Sequence, residues 1–577
     1  MRFALSSVVL CFVTVAVTVT AVELPDNPWW KNILIYQVYP RSFMDSDGDG
    51  IGDINGITGR LEHIRETGAT AFWLSPIYRS PQKDFGYDIS DFTAIDPQFG
   101  TIDDFRELLK RAKSLGLKVL MDLVPNHSSD QHEWFKKSVR RVKPYDEYYI
   151  WRDGKMVDGV RSPPSNWLSS FGGSSWEWNE ERGQYYYHQF ATAQPDLNYR
   201  NPALKKEMEK VLLFWLEQGV DGFRIDAVVH LFEDEQMRDE PLSRRPGFNS
   251  DEYEYLDHIY TRDLDETYGV IAEWRQLMND FAREHKTQAK YGILEAGNVL
   301  SLNMKYYDSG MDPFNFMFTL DIHKDTPPEE YVQRIQEYLA KIPNGQLANW
   351  VIGNHDQPRV ATRFGRADQM SMLALMLPGL TVIYNGDEIG MVDRPLSWEE
   401  TVDPAGCNAG PEKYNQRSRD PARTPFQWDN TTNAGFSFGR KTWLPVHENY
   451  HHLNLLDQQQ APISHFKTFK RMIRLKQSQL VQTGFTEIST SLDGQVLGLV
   501  RRLPHQSPLV LLINFSEDMI FLDLVEWMHV PERLNIYATN VESNLRVGAT
   551  VFTENFLLPA AASVVLAGDD LDVLNFP

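Results

Sequence analysis

The stretches KVLMDLVPNH (118–127), GFRIDAV (222–228) and YGILEA (291–296) are built alike. Each is a short apolar run that ends on an acid, an amide or an imidazole. Further apolar runs of strand length lie at Ile33–Tyr39, Ala71–Ser75, Phe314–Leu320, Trp350–Gly353 and Thr381–Tyr384. Helical patterns separate them, among them Ile102–Ser114, Pro202–Gln218, Glu329–Ala340 and Gln369–Met376. Eight apolar strands alternating with helices over several hundred residues predict an α/β fold, a (β/α)8 TIM barrel rather than an open sheet.

Two segments break this rhythm. From Ser128 to Tyr199 the chain turns rich in Trp, Tyr, Gly, Ser and Pro with no clear helix, so a subdomain is expected after the third strand. Beyond Leu475 the pattern becomes all-β, which predicts a C-terminal antiparallel β-domain, a β-sandwich. The expected division is a signal peptide at 1–21, a barrel over 22–127 and 200–475, the insertion at 128–199 and the β-domain at 476–577.

A chain of 577 residues is long enough for such a division. Its 42% hydrophobic and 24% charged residues are those of a globular protein. The formal charge of −22 removes the basic footprint that nucleic acid requires, leaving no nucleic-acid partner. Arg2, the apolar run from Ala4 to Val19 and the small residues Val19 and Ala21 read as a secretory signal, which predicts an extracellular protein. Of the two cysteines, Cys11 falls in that segment, so Cys407 has no partner within the mature chain and is either a free thiol or an intermolecular bridge. Asn430 and Asn514 head glycosylation sequons. Asn126 heads a third, but it stands at a strand end beside His127, where a glycan would block the mouth.

In a TIM barrel, chemistry sits at the C-terminal ends of the strands. A single acid there is most simply a helix cap or turn residue. Here the third strand delivers Asp122 and then Asn126-His127, the fourth Arg224 and Asp226, the fifth Glu295, and the seventh Asn354-His355-Asp356. Capping does not require four strand ends to aim carboxylates and imidazoles at one mouth. Glycosidic bond cleavage does: one carboxylate attacks or activates water and a second carboxyl group protonates the leaving oxygen.

DLVPNH, GFRIDAV, GILEA and GNHD (353–356) resemble the catalytic stretches of the α-amylase superfamily, glycoside hydrolase family 13. QPDLN (194–198) is similar to the stretch that marks its α-glucosidase branch. YQVYPRSF, FGYDISDF and SRDPARTPFQWD resemble insect maltases in particular. The resemblance runs from about Pro28 to the C-terminus. It implies a retaining α-glucosidase acting on the ends of small sugars. Asp226 would be the nucleophile, Glu295 the acid/base and Asp356 the transition-state stabiliser. His127 and His355 would hold sugar hydroxyls. Arg224 is expected to lower the pKa of Asp226, and the site of Glu295 to raise that of its acid. Asp84 and Tyr87 would clamp the terminal glucose, with Arg423 pairing with Asp84 to close the pocket; Arg419, four residues earlier, competes for that role.

Ala227, where α-1,6-cleaving members carry valine, implies maltose-type or sucrose-type substrates. Gly297, where the branch commonly carries tyrosine, is expected either to enlarge the leaving-group side or to alter its water access. Asp45, Asp47, Asp49, the Ile51 carbonyl and Asp53 alternate acids with glycines in the manner of an oxygen-rich cation loop, and the family carries a structural Ca2+ there. Transglucosylation or sucrose isomerisation would use the same covalent intermediate. The superfamily's receptors and transporter heavy chains typically have a membrane anchor or lack catalytic acids; this sequence keeps all three acids.

Overall fold

The computed structural model describes residues 28–31, 33–297 and 299–571. The proposed signal segment, with Cys11, lies outside the described residues. Eight parallel strands form the central sheet: β1 (Leu34–Val38), β2 (Ala71–Leu74), β3 (Lys118–Leu123), β4 (Gly222–Ile225), β5 (Tyr291–Leu294), β6 (Asp312–Pro313), β7 (Asn349–Val351) and β8 (Leu380–Tyr384). They neighbour in the order β6-β5-β4-β3-β2-β1-β8-β7, curling so that the two ends meet. The seam is closed by the Val351 N–H donating to the Asn315 carbonyl at 3.4 Å. The Asn349 side chain reinforces it, accepting from the Asn315 N–H at 2.7 Å and donating to the Pro313 carbonyl at 2.8 Å. The strands are buried on both faces, which explains their unbroken apolar runs.

The period-two alternation of strands sends one set of residues into the barrel and the other toward the helices. Ile35, Trp73, Leu120, Ile293, Val351 and Val382 form the inner cluster. Val119, Met121, Phe223, Ile225 and Leu294 belong to the outer layer. Stepping by two from the inner set toward the C-terminal end gives Leu120 then Asp122, and Ile293 then Glu295. Arg224 pairs in register with both Asp122 and Ile293, so it and Asp226 share that inward face. At Gly222, a Cβ would lie 2.0 Å from the Tyr291 carbonyl oxygen, so the close approach of β4 to β5 needs glycine.

The helices Ile102–Ser114 and Pro202–Gln218 have the boundaries their patterns predict. Thr101 and Asp104 make a reciprocal capping box for the first. Asn201 caps the second, which opens with Pro202 and stops at the left-handed Gly219. Three expectations need correction. The run Phe314–Leu320 is not a strand: β6 is Asp312–Pro313, and Met317–Asp321 is a π-helical turn. Phe314 and Phe316 are apolar because they fill the inner cluster, not because they pair. The insertion contains a helix, Glu133–Val139, capped by the His132 side chain, alongside an antiparallel sheet of Trp151–Arg152, Gln184–Tyr187 and Trp176–Asn179. The C-terminal region carries short helices at Gln479–Thr483 and Leu524–Met528. Its six-stranded antiparallel sheet runs, in spatial order, Phe485–Thr490, Val496–Arg502, Leu509–Asn514, Ser563–Ala567, Arg533–Thr539 and Thr550–Phe552. No helix among the described residues is long and apolar enough to cross a membrane.

Candidate active site

The strand ends converge on Arg224, a fully buried guanidinium lying over the Trp73 ring. Its Nη1 reaches Asp226 at 2.5 Å and Asp122 at 2.9 Å, and its Nη2 reaches Glu295 at 2.8 Å. Asp226 and Glu295 therefore face each other across the two Nη atoms of one guanidinium. Ala227 follows in the left-handed region at φ 48°, which turns its N–H onto Glu295 at 3.0 Å. A β-branched residue would be strained in that conformation.

Arg224 does lower the pKa of Asp226, as expected, but the expectation that this keeps the carboxyl in the ordinary ionised range needs correction. Burial pushes Asp226 up, and Arg224 pulls it down. Glu295 and Asp122 push it up again, and the balance lies well above the ordinary carboxylate range. Three carboxyls around one cation titrate as a coupled set rather than independently. Burial likewise raises Asp122 to about 7, against the pull of Arg224. Such a group is protonated in the folded chain and ionised in the unfolded one between about pH 4 and pH 7. Its contribution to stability is therefore complete below about pH 4 and is lost as pH rises through 7. Thermal unfolding of Asp122→Asn between pH 4 and 8 should show a shallower loss of Tm than the parent; an unchanged slope would contradict this account of the cluster.

Beyond this cluster lies a cavity of about 590 Å³ whose lining includes Asp84, Tyr87, His127, Asp226, Glu295 and Asp356. Burial lowers His127 to about 4 and His355 to about 3, so both imidazoles are neutral. Gln37 Nε2 donates to His355 Nδ1 at 2.8 Å, which places the ring proton on Nε2, 2.7 Å from the Tyr87 hydroxyl. Tyr87 in turn donates to Asp122 at 3.1 Å. Burial alone would raise Asp356, but the permanently charged Arg419 and Arg423, at 3.3 and 2.9 Å, hold the carboxyl well below its usual range.

Asp84 is paired by Arg419, at 2.7 Å, and not by Arg423. Arg423 lies behind Asp356, donating to its carboxylate at 2.9 Å and to the His355 carbonyl at 2.8 Å. The turn Asp420–Ala422 separates the two arginines, so that both face Asp356 but only Arg419 crosses to Asp84. Arg419 is anchored from the other side by Asp403 at 2.5 Å.

Four residues of this site were not among those expected to bind substrate. Arg419 was outweighed by its neighbour. Gln194 donates to Asp84 and contacts His127 Nε2, both at 3.1 Å, which gives QPDLN a physical role. Asp122 was visible as a strand-end acid, but its place opposite Arg224 is set by the strand register. Asp403 gave no signal, because no motif links it to its partner Arg419, 16 residues further along the chain.

Gly297 does not leave an open leaving-group side. A Cβ there would lie 2.4 Å from Arg262 Nη2, so a guanidinium occupies the space. In the acidic loop, Asp45, Asp47 and Asp49 bring carboxylate oxygens within 4.8 Å of one another. Burial, with Asp47, Asp45 and Asp53 nearby, raises the pKa of Asp49, a repulsion that a cation relieves. Asp53 is not in that group: it caps the helix Ile54–Gly59 through Gly56 N–H and accepts from Ser46. Asn514 is not a glycan acceptor in the folded chain. It is fully buried, with its amide donating to the Asp518 and Pro559 carbonyls. Asn126 is also buried, donating to Asp196 at 2.9 Å, whereas Asn430 is exposed. Cys407 is exposed and forms no disulfide among the described residues.

A closed parallel barrel with a carboxyl pair gripped by one arginine at its C-terminal mouth and a cavity sealed by an ion pair defines a glycoside-hydrolysing enzyme. The chain belongs to the α-amylase family: residues 37–484 match the family model "Alpha amylase, catalytic domain". It is 49% identical to Maltase 1 of Drosophila virilis, over 91% of this chain and 84% of that one. It is 43% identical to the salivary alpha-glucosidase of Anopheles gambiae over 93% of each. Among solved structures it superposes on an alpha-glucosyl transfer enzyme, XgtA, with a TM-score of 0.83 and 33% identity, over 94% of this chain and 100% of that one.

Proposed function

We propose that this protein is a retaining, exo-acting α-glucosidase that releases terminal α-glucose from small sugars such as maltose and sucrose. The observation that carries the proposal is that Asp226 and Glu295 are both held by Arg224, one on each Nη atom, at the base of a cavity closed by Asp84–Arg419. Carboxyls gripped by one guanidinium fit the short spacing of a retaining pair better than the wider gap in which an inverting enzyme places its water. Asp226 attacks the anomeric carbon while Glu295 passes its proton to the leaving oxygen. Glu295 then takes a proton from water, which displaces Asp226 and frees glucose. Asp356, kept ionised, opposes the positive charge that develops on the sugar. Neutral His127 and His355, with Asp84, Tyr87 and Arg419, hold the glucose hydroxyls. The maltase and salivary α-glucosidase relatives support this reading. Ala227 leans it toward α-1,4 and sucrose bonds.

A second reading, interception of the glucosyl enzyme by a sugar instead of water, is favoured by the likeness to a glucosyl transfer enzyme. Turnover of maltose, sucrose, isomaltose and starch, with products followed by NMR, tests both. The reading predicts α-glucose as the first product from the disaccharides and little action within starch. β-Glucose as first product would overturn retention, and transfer products outweighing glucose would favour the second reading.

The salivary relatives and the leader-like start support secretion, with a glycan on Asn430. Asp45, Asp47, Asp49 and the Ile51 carbonyl would hold a structural Ca2+. Chelation should lower Tm by several degrees and added Ca2+ should restore it, with Asp45→Ala insensitive to both. A parent protein whose Tm ignores chelator would remove the metal from the account.

A further inference from the structure

We propose that Arg262 is the residue that selects the leaving group, making the enzyme specific for hydroxyl-rich sugar leaving groups over flat aromatic ones. The inference rests on the proposed α-glucosidase reading and concerns the outer half of the same cavity. Its starting point is a vacancy in the side-chain pattern. The residue two beyond the acid/base is glycine, and the volume that a side chain at 297 would enter is filled by Arg262 Nη2, 2.4 Å from where its Cβ would stand. Arg262 and Gly297 both line the cavity beside Glu295.

The guanidinium is held, not drifting. Its backbone lies where Asp263, in the left-handed region at φ 54°, donates to the Val229 carbonyl at 2.8 Å, three residues past the nucleophile. Its Nε faces the Asp263 carboxylate at 3.5 Å, and that carboxylate also accepts from the Tyr306 hydroxyl at 2.7 Å. The side chain keeps about a third of its exposure, 30%, so part of the fork remains open toward the cavity. Phe316 and Leu320 line the same cavity and supply apolar surface.

A leaving sugar has the two surfaces this arrangement matches. Its ring C–H face can lie on Phe316 and Leu320 while its hydroxyl edge accepts from the Arg262 N–H groups. An aromatic leaving group offers no hydroxyl edge: it can stack on the apolar wall and on the guanidinium face but forgoes the directed hydrogen bonds to the fork. A buried or half-buried donor that finds no acceptor is unfavourable, so the guanidinium discriminates against such groups as well as for sugars. With a tyrosine at 297 in its place, the same volume would be an aromatic surface with the opposite preference.

The experiment compares kcat/KM for maltose and for p-nitrophenyl α-glucoside in the parent, Arg262→Met and Arg262→Lys, with Tm recorded for each. Hydrolysis of both substrates by the parent is the test of the α-glucosidase reading itself; an inert parent would refute that reading and this inference together. Given an active parent, Arg262→Met should lower the maltose-to-aryl ratio of kcat/KM by about tenfold or more. Arg262→Lys, which keeps the charge and loses the fork, should lie between the two. Should Arg262→Met fail to fold, the lysine variant still carries the ratio. A second, constructive arm places Gly297→Tyr on the Arg262→Met background, where the ratio should fall further. Equal losses on both substrates would show that Arg262 acts through Glu295 or the loop and would overturn the proposal. So would an unchanged ratio in both variants.

Discussion

Asp226→Asn should lower turnover of maltose by at least about 10⁴-fold, the scale seen when an enzyme loses its nucleophile, while the protein remains as stable as the parent or becomes more so. The two halves of this expectation have one cause. Asp226 is buried against Glu295 and Asp122 with a single guanidinium among the three. The raised pKa of Asp226 shows that its ionised form is disfavoured in the folded chain. Asparagine removes a carboxyl that the fold holds at a cost and leaves Arg224 paired with Asp122 and Glu295. Because the folded pKa lies above the unfolded one, the penalty grows as pH rises past the ordinary carboxylate value. The Tm advantage of Asp226→Asn should therefore widen from pH 5 toward pH 8. Glucose release assayed with calorimetry across that range measures both. A variant that is inactive and much less stable would mean that Asp226 supports the fold, and the role assigned to it would lose its basis.

Arg419→Met should be the most destabilising single change in the site, by about 3–5 kcal/mol, the cost of stranding buried charge. Arg419 alone joins Asp84, Asp403 and Asp356 at 2.7, 2.5 and 3.3 Å, and both Asp84 and Asp403 are buried. Burial already raises Asp84 against the pull of Arg419, so removing the arginine leaves that carboxyl without its main counter-charge. Gln194 still donates to Asp84 but carries no charge. Because Asp84 and Arg419 share one interaction, Asp84→Asn combined with Arg419→Met should cost less than the two single losses added together. Denaturant unfolding of the four proteins gives that difference. Strict additivity would mean that the pair does not close the pocket as a unit. Activity should fall in every variant, since the sealed end is what binds the terminal glucose.

The sequence carried the fold where a residue's pattern had a single physical cause. The parallel strands β3, β4 and β5 are buried on both faces, so their apolar runs could be read directly, and the acids that follow them lie on the inward step of the same alternation. The helices Ile102–Ser114 and Pro202–Gln218 were legible from their patterns, and local hydrogen bonding by Thr101 with Asp104 and by Asn201 fixes their starts. Reading failed where two causes give one pattern. Phe314 and Phe316 are apolar to fill the barrel, which resembles strand patterning. Asn514 has a sequon's spelling, yet its amide is spent on two carbonyls of its own domain. Arg419 and Arg423 lie one turn apart, and only the path of Asp420–Ala422 decides which reaches Asp84. At Gly297 the missing side chain was legible, but the arginine that fills its volume comes from thirty-five residues earlier and could only be found in three dimensions.

The central claim is that Asp226 forms a covalent bond to the sugar and Glu295 does not. It is tested most directly by reacting the enzyme with 5-fluoro-α-glucosyl fluoride, whose fluorine slows breakdown of the intermediate, and mapping the adduct by peptide mass spectrometry. The account predicts one fluoroglucosyl group, on the peptide containing Asp226 and localised to that residue. A label on Glu295 or on Asp356, or turnover to β-glucose with no adduct, would contradict it.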